Sequence, residues 1–379
     1  MYAGDDKCWV LLLNTTIVAS VTTRACFCRW FNNCIKIITM DAKIQTRVAT
    51  LEDYAAVLAL DPNNTIYSGN DYLPAVYKSW INDPNKRMLA GVLDGKIVAF
   101  GLRNLIDDGQ TLLGMSARVD VNKRDTGIWR QMRSVTEATS EPSSVVRMLS
   151  VQQLQQSQHR QRTRVDATSD YKHRRLVMTR VRQMHQYNHV RIDSGNLAAF
   201  ARTDGAVCRA LTKPEALQAL TNRENQWRLF PNQRIVCSVG LVPYGLLESN
   251  FRRIVEENII VASMNLAGNE CVSLSFATAI QAHNGFLYTL HYYGSHPAND
   301  VSDLVRHVLV HLSIAAKQQT KQPLQLRIMF SPLMPRDDVM QALKQVPGHE
   351  KCSMDSTTLA VFELGVQSRS KRQNSMAKL

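Results

Sequence analysis

The stretch Gln110–Arg133, QTLLGMSARVDVNKRDTGIWRQMR, carries the clearest chemistry in the sequence. An apolar strand ends near Arg118 and Val119, and a short basic loop, Arg124-Asp-Thr-Gly127, runs directly into a helical pattern. Such a loop turns several backbone N–H groups outward at a helix N-terminus, where a pyrophosphate is well held. Gly127 lacks a Cβ where backbone must approach phosphate, and Arg124 adds a charge-assisted donor. A lone R-x-x-G would count only as a polar turn. The three strands expected before it strengthen the anion-binding reading. Upstream, Tyr67, Asp71 and Tyr72 stand between two helical segments, and Tyr77 and Trp80 follow within the second. Tyr77 and Trp80, three apart, fit a helix core stripe. No Cys-x-x-Cys occurs, so neither a zinc site nor a redox pair is supported.

The elements that must hold these residues are legible in part. Ile44–Val48 alternates as a strand, and Thr50 with Asp53 opens a helix over Leu51–Leu60. A second helix spans Leu73–Ile81. Three strands follow, joined at Asp94-Gly95 and Asp107-Asp-Gly109, which are hairpin signals. Ile128 starts another helix. The polar, Gln/Arg-rich segment 145–191 reads less sharply: Val151–Gln161 as helix or loop, Arg164–Ala167 as a strand, Tyr171–Gln183 as a helix. Residues 230–365 then repeat nearly the same order, β-α-β-β-β-α-β-α-β. This predicts a mixed α/β (α+β) fold of two related units, the second degenerate. The expected organisation is a leader at 1–43, a first domain at 44–211, a linker at 212–229, a second domain at 230–365 and a basic, disordered tail at 366–379.

The charge fits that organisation. The 379 residues carry a net charge of +13, of which +9 lies within 118–191 and +4 in the tail. A general nucleic-acid binder is basic across a whole domain and carries a recognisable reading motif, and neither holds here. No nucleic-acid partner is expected. The apolar run Trp9–Ser20 is broken by Asn14, Thr15 and Thr16, is preceded by Asp5 and Asp6, and is too short for a bilayer. It reads as an unstructured leader in preference to a signal or anchor. No membrane association is expected, and the scattered cysteines suggest a reducing, cytoplasmic compartment.

Several blocks carry a resemblance. Arg124-x-x-Gly127 after a fourth strand resembles the acetyl-CoA loop of the GNAT N-acetyltransferase superfamily, Q/R-x-x-G-x-G/A, with Trp129 in place of the last small residue. Ile66–Pro74, Trp80–Pro84, Ala90–Gly101 and Gly127–Arg130 resemble the vertebrate histidine N-acetyltransferase family, in which an aromatic at the position of Trp129 is typical. The resemblance is dense over 44–133, thin over 134–365, and absent from 1–39 and the tail. It implies a GNAT-like mixed sheet followed by a second GNAT-like half, and acetyl transfer from acetyl-CoA to a small amine such as L-histidine. It implies cofactor contacts at Ala117, Arg118, Val119, Arg124, Asp125, Thr126, Gly127, Ile128 and Trp129, and acceptor contacts at Tyr67, Asp71 and Tyr72. Tyr171 and Tyr187 are the candidates for the general acid that GNAT enzymes often draw from a tyrosine. No metal is implied. His291-Tyr-Tyr-Gly-Ser-His296 stands at the phosphate-loop position of the second half but lacks Arg-x-x-Gly, so that half is expected to be structural and to close one side of the acceptor cleft. The competing readings are a catalytically silent acetyl-CoA- or protein-binding module, and transfer to another amine or a protein N-terminus.

Overall fold

In a computed structural model of the protein, the described residues are 11–13, 16–18, 44–63, 70–132, 145, 147–154, 168–171, 174–192, 208–265, 270–282, 285–294, 301–318, 324–331, 334–344, 346 and 357–367. At 11–13, 16–18, 150–154, 168–171, 174–192, 318, 336, 340 and 357–367 the description is of backbone alone. Leu11–Leu13 (β1) and Thr16–Val18 (β2) pair as a small separate hairpin. The first half then runs β3 (Gln45–Val48), α1 (Tyr54–Leu58), α2 (Leu73–Ile81), β4 (Lys86–Leu93), β5 (Lys96–Ile106), β6 (Thr111–Val119), β7 (Arg147–Leu154), β8 (Thr168–Tyr171) and β9 (Arg174–Ile192). The second half holds β10 (Cys208–Ala210), α3 (Lys213–Thr221), α4 (Arg223–Leu229), β11 (Arg234–Cys237), β12 (Val242–Gly245), α5 (Glu248–Glu257), β13 (Ile259–Met264), β14 (Cys271–Ala282), β15 (Gly285–Gly294), α6 (Val301–Gln318), β16 (Leu324–Phe330), α7 (Arg336–Leu343) and β17 (Thr357–Gln367).

One sheet joins the halves, in the order β10-β13-β14-β15-β16-β9-β17-β7-β6-β5-β4-β3, with β8 paired to β9 off this path. The two central strands are exchanged. β9, from the first half, pairs with β16 of the second, while β17, from the chain's end, pairs with β7 of the first. Each half therefore completes its sheet with the other's strand. This is where sequence periodicity misleads: 174–192 is strand, not the helix expected at 171–183, and β7 replaces the loop or helix expected from 151. Both are polar segments whose conformation is fixed by strand partners far along the chain, which local propensity does not register.

The region 212–229, expected as a linker, is instead two helices. Glu215 accepts from the Thr212 N–H and hydroxyl, both at 2.8 Å, as a capping box, and Asn222 caps the next helix by accepting from Asn225 N–H at 3.1 Å. Their buried Ala216, Leu220 and Leu229 share one core with Leu73, Val76, Tyr77 and Trp80 of α2. That core crosses the boundary between halves, and α2 packs against β14. The polar clasp is Asp107, 1% exposed in the β5–β6 turn. It accepts from Thr111 Oγ1 at 2.6 Å, Arg234 Nη1 at 2.9 Å, Gly245 N at 2.8 Å and Asn250 Nδ2 at 2.7 Å. Burial alone would raise its pKa, but Arg234, Thr111 and Gly245 outweigh burial and hold it low.

Candidate active site

The site begins where two strands part. β6 and β7 pair in parallel only from Thr111–Gly114 with 147–150; beyond Gly114 the partnership ends. The N–H and C=O groups on that side of Met115–Val119 lose their β7 ladder, which leaves a strand edge able to pair with an extended ligand. At the same point Ser116 takes a left-handed φ of 53°, and the register against β5 slips between Phe100 and Leu102. This bulge re-aims the following residues.

Side chains from the segment before α2 meet the bulge. Tyr72 Oη lies 3.0 Å from Ser116 Oγ. Asp71 accepts two hydrogen bonds from the Arg118 guanidinium, one of them 2.7 Å, and the Leu73 N–H at 2.9 Å. Asp71 and Arg118 are 6% and 2% exposed. Both Asp71 oxygens are thus committed within the protein, and the pair locks the bulged strand to the start of α2. Leaving one partner of so buried a pair uncompensated is costly.

The phosphate-loop candidate follows. Asp120 accepts from Asn122 N–H at 2.8 Å, opening a 3-10 turn over Val121–Lys123. Thr126 Oγ1 donates to Lys123 O at 2.6 Å, and Arg124 reaches buried Asp61 at 3.1 Å. Asp125 and Gly127 both lie in the left-handed region, at φ 62° and 83°. The helix opens at 128, and its first internal bond is Gln131 N–H to Gly127 O at 3.0 Å. The N–H groups just before it have no helical acceptor. Ile128 and Met132 anchor this turn beneath Val98 and Ala99. Trp129 is accommodated at Gly101, where an added Cβ would come within 2.7 Å of its ring. The residues therefore fit a pantetheine strand edge and a pyrophosphate cradle of the kind acetyl-CoA requires.

The second half contributes to the same space. The turn between β11 and β12 brings Gly240 beside Trp80 and Tyr72, with Tyr72 Oη 3.8 Å from the position its Cβ would take. Arg327 on β16 lies within electrostatic reach of Tyr72, and His291 on β15 within reach of Arg327. Burial pushes Arg327 down to about 10, with Tyr72 opposing, so it stays charged near neutrality. Burial first, then Arg327, pushes His291 down to about 3, so it stays neutral. Sequence reasoning singled out neither Arg327 nor Ser116, and it placed His291 only at the phosphate-loop position of the second half. One signal was available for the first: Arg327 is the only charge inside the apolar strand Leu324–Phe330.

Along α6 of the second half, the polar groups are closed on one another. Asp303 on α6 accepts from Ser263 at 2.6 Å and Tyr292 at 2.8 Å. His307 lies 2.7 Å from Ser275, and His311 lies 2.8 Å from Ser275 and 2.9 Å from Tyr288. Both histidines are 0% exposed, and burial lowers their pKa, His307 to about 4. Among the described residues, no group of three His, Cys, Asp or Glu could hold a metal. Tyr67 lies outside the described residues. Tyr171 ends β8, and Tyr187 on β9 is opposite Ile328 of β16; their side chains also lie outside them.

The strand order, the parallel pair that parts and the bulge define a tandem GNAT fold. A tandem GNAT protein from the clavulanic acid biosynthesis pathway, solved without acetyl-CoA, superposes with a TM-score of 0.52 at 10% identity, over 84% of this chain and 98% of that one. The sequence comparisons point more narrowly. Residues 206–334 match the family model for the C-terminal part of histidine N-acetyltransferase, in the half where shared motifs are thin. Histidine N-acetyltransferase from Oreochromis niloticus is 38% identical over 87 residues, 23% of this chain and 25% of that protein. The same enzyme from Scomber australasicus is 36% identical over 87 residues, with the same coverage. The chain thus matches about a quarter of the length of these curated relatives, and it resembles the histidine N-acetyltransferase family.

Proposed function

We propose that the protein is an acetyl-CoA-dependent N-acetyltransferase acting on the amine of a free amino acid, with L-histidine the favoured acceptor. The observation that carries this reading is the parallel β6–β7 pair that parts at Gly114, immediately ahead of a left-handed loop leading into a helix. Acetyl-CoA supplies an activated acyl group. In this reading the backbone of Ala117, Arg118 and Val119 aligns the pantetheine arm, and Arg124, Asp125, Thr126, Gly127, Ile128 and Trp129 surround the pyrophosphate. An N–H near the bulge stabilises the developing oxyanion. The transfer forms a C–N bond and breaks the thioester C–S bond; the amine's proton leaves to a base or water, and the departing thiolate takes one up. Tyr171 or Tyr187 would serve as that acid. Tyr72, with Tyr67 nearby in sequence, would face the acceptor, while Asp71 fixes Arg118 and acts on the acceptor only through Tyr72 and the bulge.

The activity for which the relatives are named supports histidine as the acceptor. Among the described residues, no helix is long and apolar enough to cross a membrane. Cys208, Cys237 and Cys271 are free and buried, which supports a cytoplasmic location. The test is release of CoA thiol from acetyl-CoA across a panel of free amino acids and other amines, with the product identified by mass. Turnover should depend on histidine. Acetyl-CoA binding without turnover of any amine would leave a silent binding module instead. Gly127→Glu should abolish acetyl-CoA binding, because it places a strained Cβ and a negative charge in the cradle.

A further inference from the structure

His291 is 0% exposed, and neither ring nitrogen has a hydrogen-bond partner. Arg327 is half-buried, its Nε is fully enclosed without an acceptor, and among the described residues it forms no ion pair. Buried polar groups are nearly always paired, and a desolvated cation without a counter-ion is costly. Two such groups side by side mark a place built for a ligand that supplies what they lack. They share one face of the sheet. Leu290 and Tyr292, on either side of His291, and Leu326 and Ile328, on either side of Arg327, all pack in the α6 core. Strand alternation therefore turns His291 and Arg327 to the opposite face. There Phe276, paired with His291 across β14–β15, shares a core with α2, and Tyr72 feels Arg327. This is the face of α2 and Tyr72, whereas the phosphate-loop helix packs with Val98 and Ala99 in a separate core.

We propose that Arg327 and His291, both supplied by the second half, form the pocket for the carboxylate of the acceptor amino acid and hold its amine toward Tyr72 and Ser116. One guanidinium and one neutral imidazole offer a single positive charge with several donors, which suits a monoanionic carboxylate better than a phosphate. The proposal deepens the proposed function and rests on it for the identity of the ligand. It also gives the second half a role of its own, since the first half holds the cofactor and the second selects acceptors that carry a carboxylate.

The experiment compares L-histidine with histamine and L-histidinamide, which keep the imidazole and the amine but lack the carboxylate. It reads steady-state turnover and, separately, equilibrium binding by calorimetry in the presence of CoA. Wild-type protein should favour L-histidine over both analogues. Arg327→Met should raise the KM for L-histidine roughly 100-fold, the scale of a lost charged hydrogen bond. The analogues and acetyl-CoA affinity should change little, and Arg327→Lys should recover part of the loss. Should Arg327→Met not fold, His291→Phe and the wild-type comparison carry the test. Equal use of histidine and histamine by the wild type, or an unchanged histidine KM in a folded Arg327→Met, overturns the pocket while leaving the transferase reading intact. Arg327-dependent binding of histidine without turnover supports the pocket and removes the transferase reading.

Discussion

Asp107→Asn tests whether the two halves act as one frame for the site. The carboxylate takes four donors: Thr111 and Arg234 on Oδ2, Gly245 N–H and Asn250 on Oδ1. A carboxamide keeps the shape but accepts on one atom only, so its NH2 must face one pair of donors. The change also takes from Arg234, 7% exposed, the carboxylate that it donates to at 2.9 Å, while its bond to the Pro243 carbonyl stays. Breaking a buried ion pair from one side costs about 3–5 kcal/mol, or roughly two to four orders of magnitude in the folded-to-unfolded ratio. Urea unfolding followed by tryptophan fluorescence reads this loss directly. A second readout addresses function. Arg234, Gly245 and Asn250 hold the β11–β12 hairpin whose turn brings Gly240 beside Tyr72, so the acceptor KM should rise more than acetyl-CoA affinity falls. A loss under about 1 kcal/mol, with an unchanged acceptor KM, would refute the reasoning. The double variant Asp107→Ala with Arg234→Met separates the contributions: it removes both charges and should be less destabilised than Asp107→Ala alone. Strict additivity would show that the pair contributes no coupling.

Three further outcomes follow from the same geometry. Asp71→Ala should destabilise the protein by about 3 kcal/mol or more by removing the carboxylate that pairs with the buried Arg118 guanidinium, and denaturation should show this before any change in acceptor preference is interpretable. Gly101→Ala should push the Trp129 ring away, weakening acetyl-CoA binding in calorimetry with little change in histidine KM once the cofactor saturates. His307 gives a sign for acid stability: its folded pKa of about 4 lies below the ordinary histidine value of 6.5, so the folded state binds fewer protons between those values. Its contribution is complete above about pH 6.5 and falls by on the order of 3 kcal/mol as pH drops toward 4. His307→Gln should flatten that stretch of a stability–pH curve, and an unchanged slope would refute the assignment.

What the sequence revealed and what it concealed divide along one physical line. The turns at Asp94-Gly95 and Asp107-Asp-Gly109 and the Arg124–Gly127 loop were legible because their backbone demands are met by residues a few positions apart; Asp94, Asp107, Asp108, Asp125 and Gly127 all adopt positive φ. The Leu73–Ile81 helix was legible from its stripe of Leu73, Val76, Tyr77 and Trp80. β9 and β17 were not, since each finds its neighbours across the other half. The tie of Asp71 to Arg118 was equally hidden: residue type points one toward the acceptor and the other toward the cofactor, yet they are each other's partner. Arg327 is the same case at greater distance. A single arginine in an apolar strand carries no local motif, and its meaning appears only when the exchange of central strands completes the sheet beside Tyr72.

The contrast between the halves bears on how two GNAT-like halves would share the work of the proposed site. In the first, β6 and β7 part after Gly114 and the loop beyond turns left-handed before its helix, so backbone donors are offered outward. In the second, β15 and β16 stay parallel through His291 and Met329, and the first turn of α6 carries Asp303. That carboxylate holds Ser263, Ser273 and Tyr292, and burial, which opposes its ionisation, is outweighed by His307 and these hydroxyls, so it remains an anion. A buried negative charge at the helix start would disfavour a pyrophosphate there, in contrast to the cradle proposed for the first half. The polar network that replaces the cradle fastens α6 to β13, β14 and β15 and leaves the opposite face of β15 and β16 to present His291 and Arg327. In the proposed reading, a second half without a cofactor and with an acceptor wall would be two consequences of one arrangement: Asp303, His307 and His311 occupy one side of the sheet, and Arg327, without an ion pair among the described residues, lies on the other.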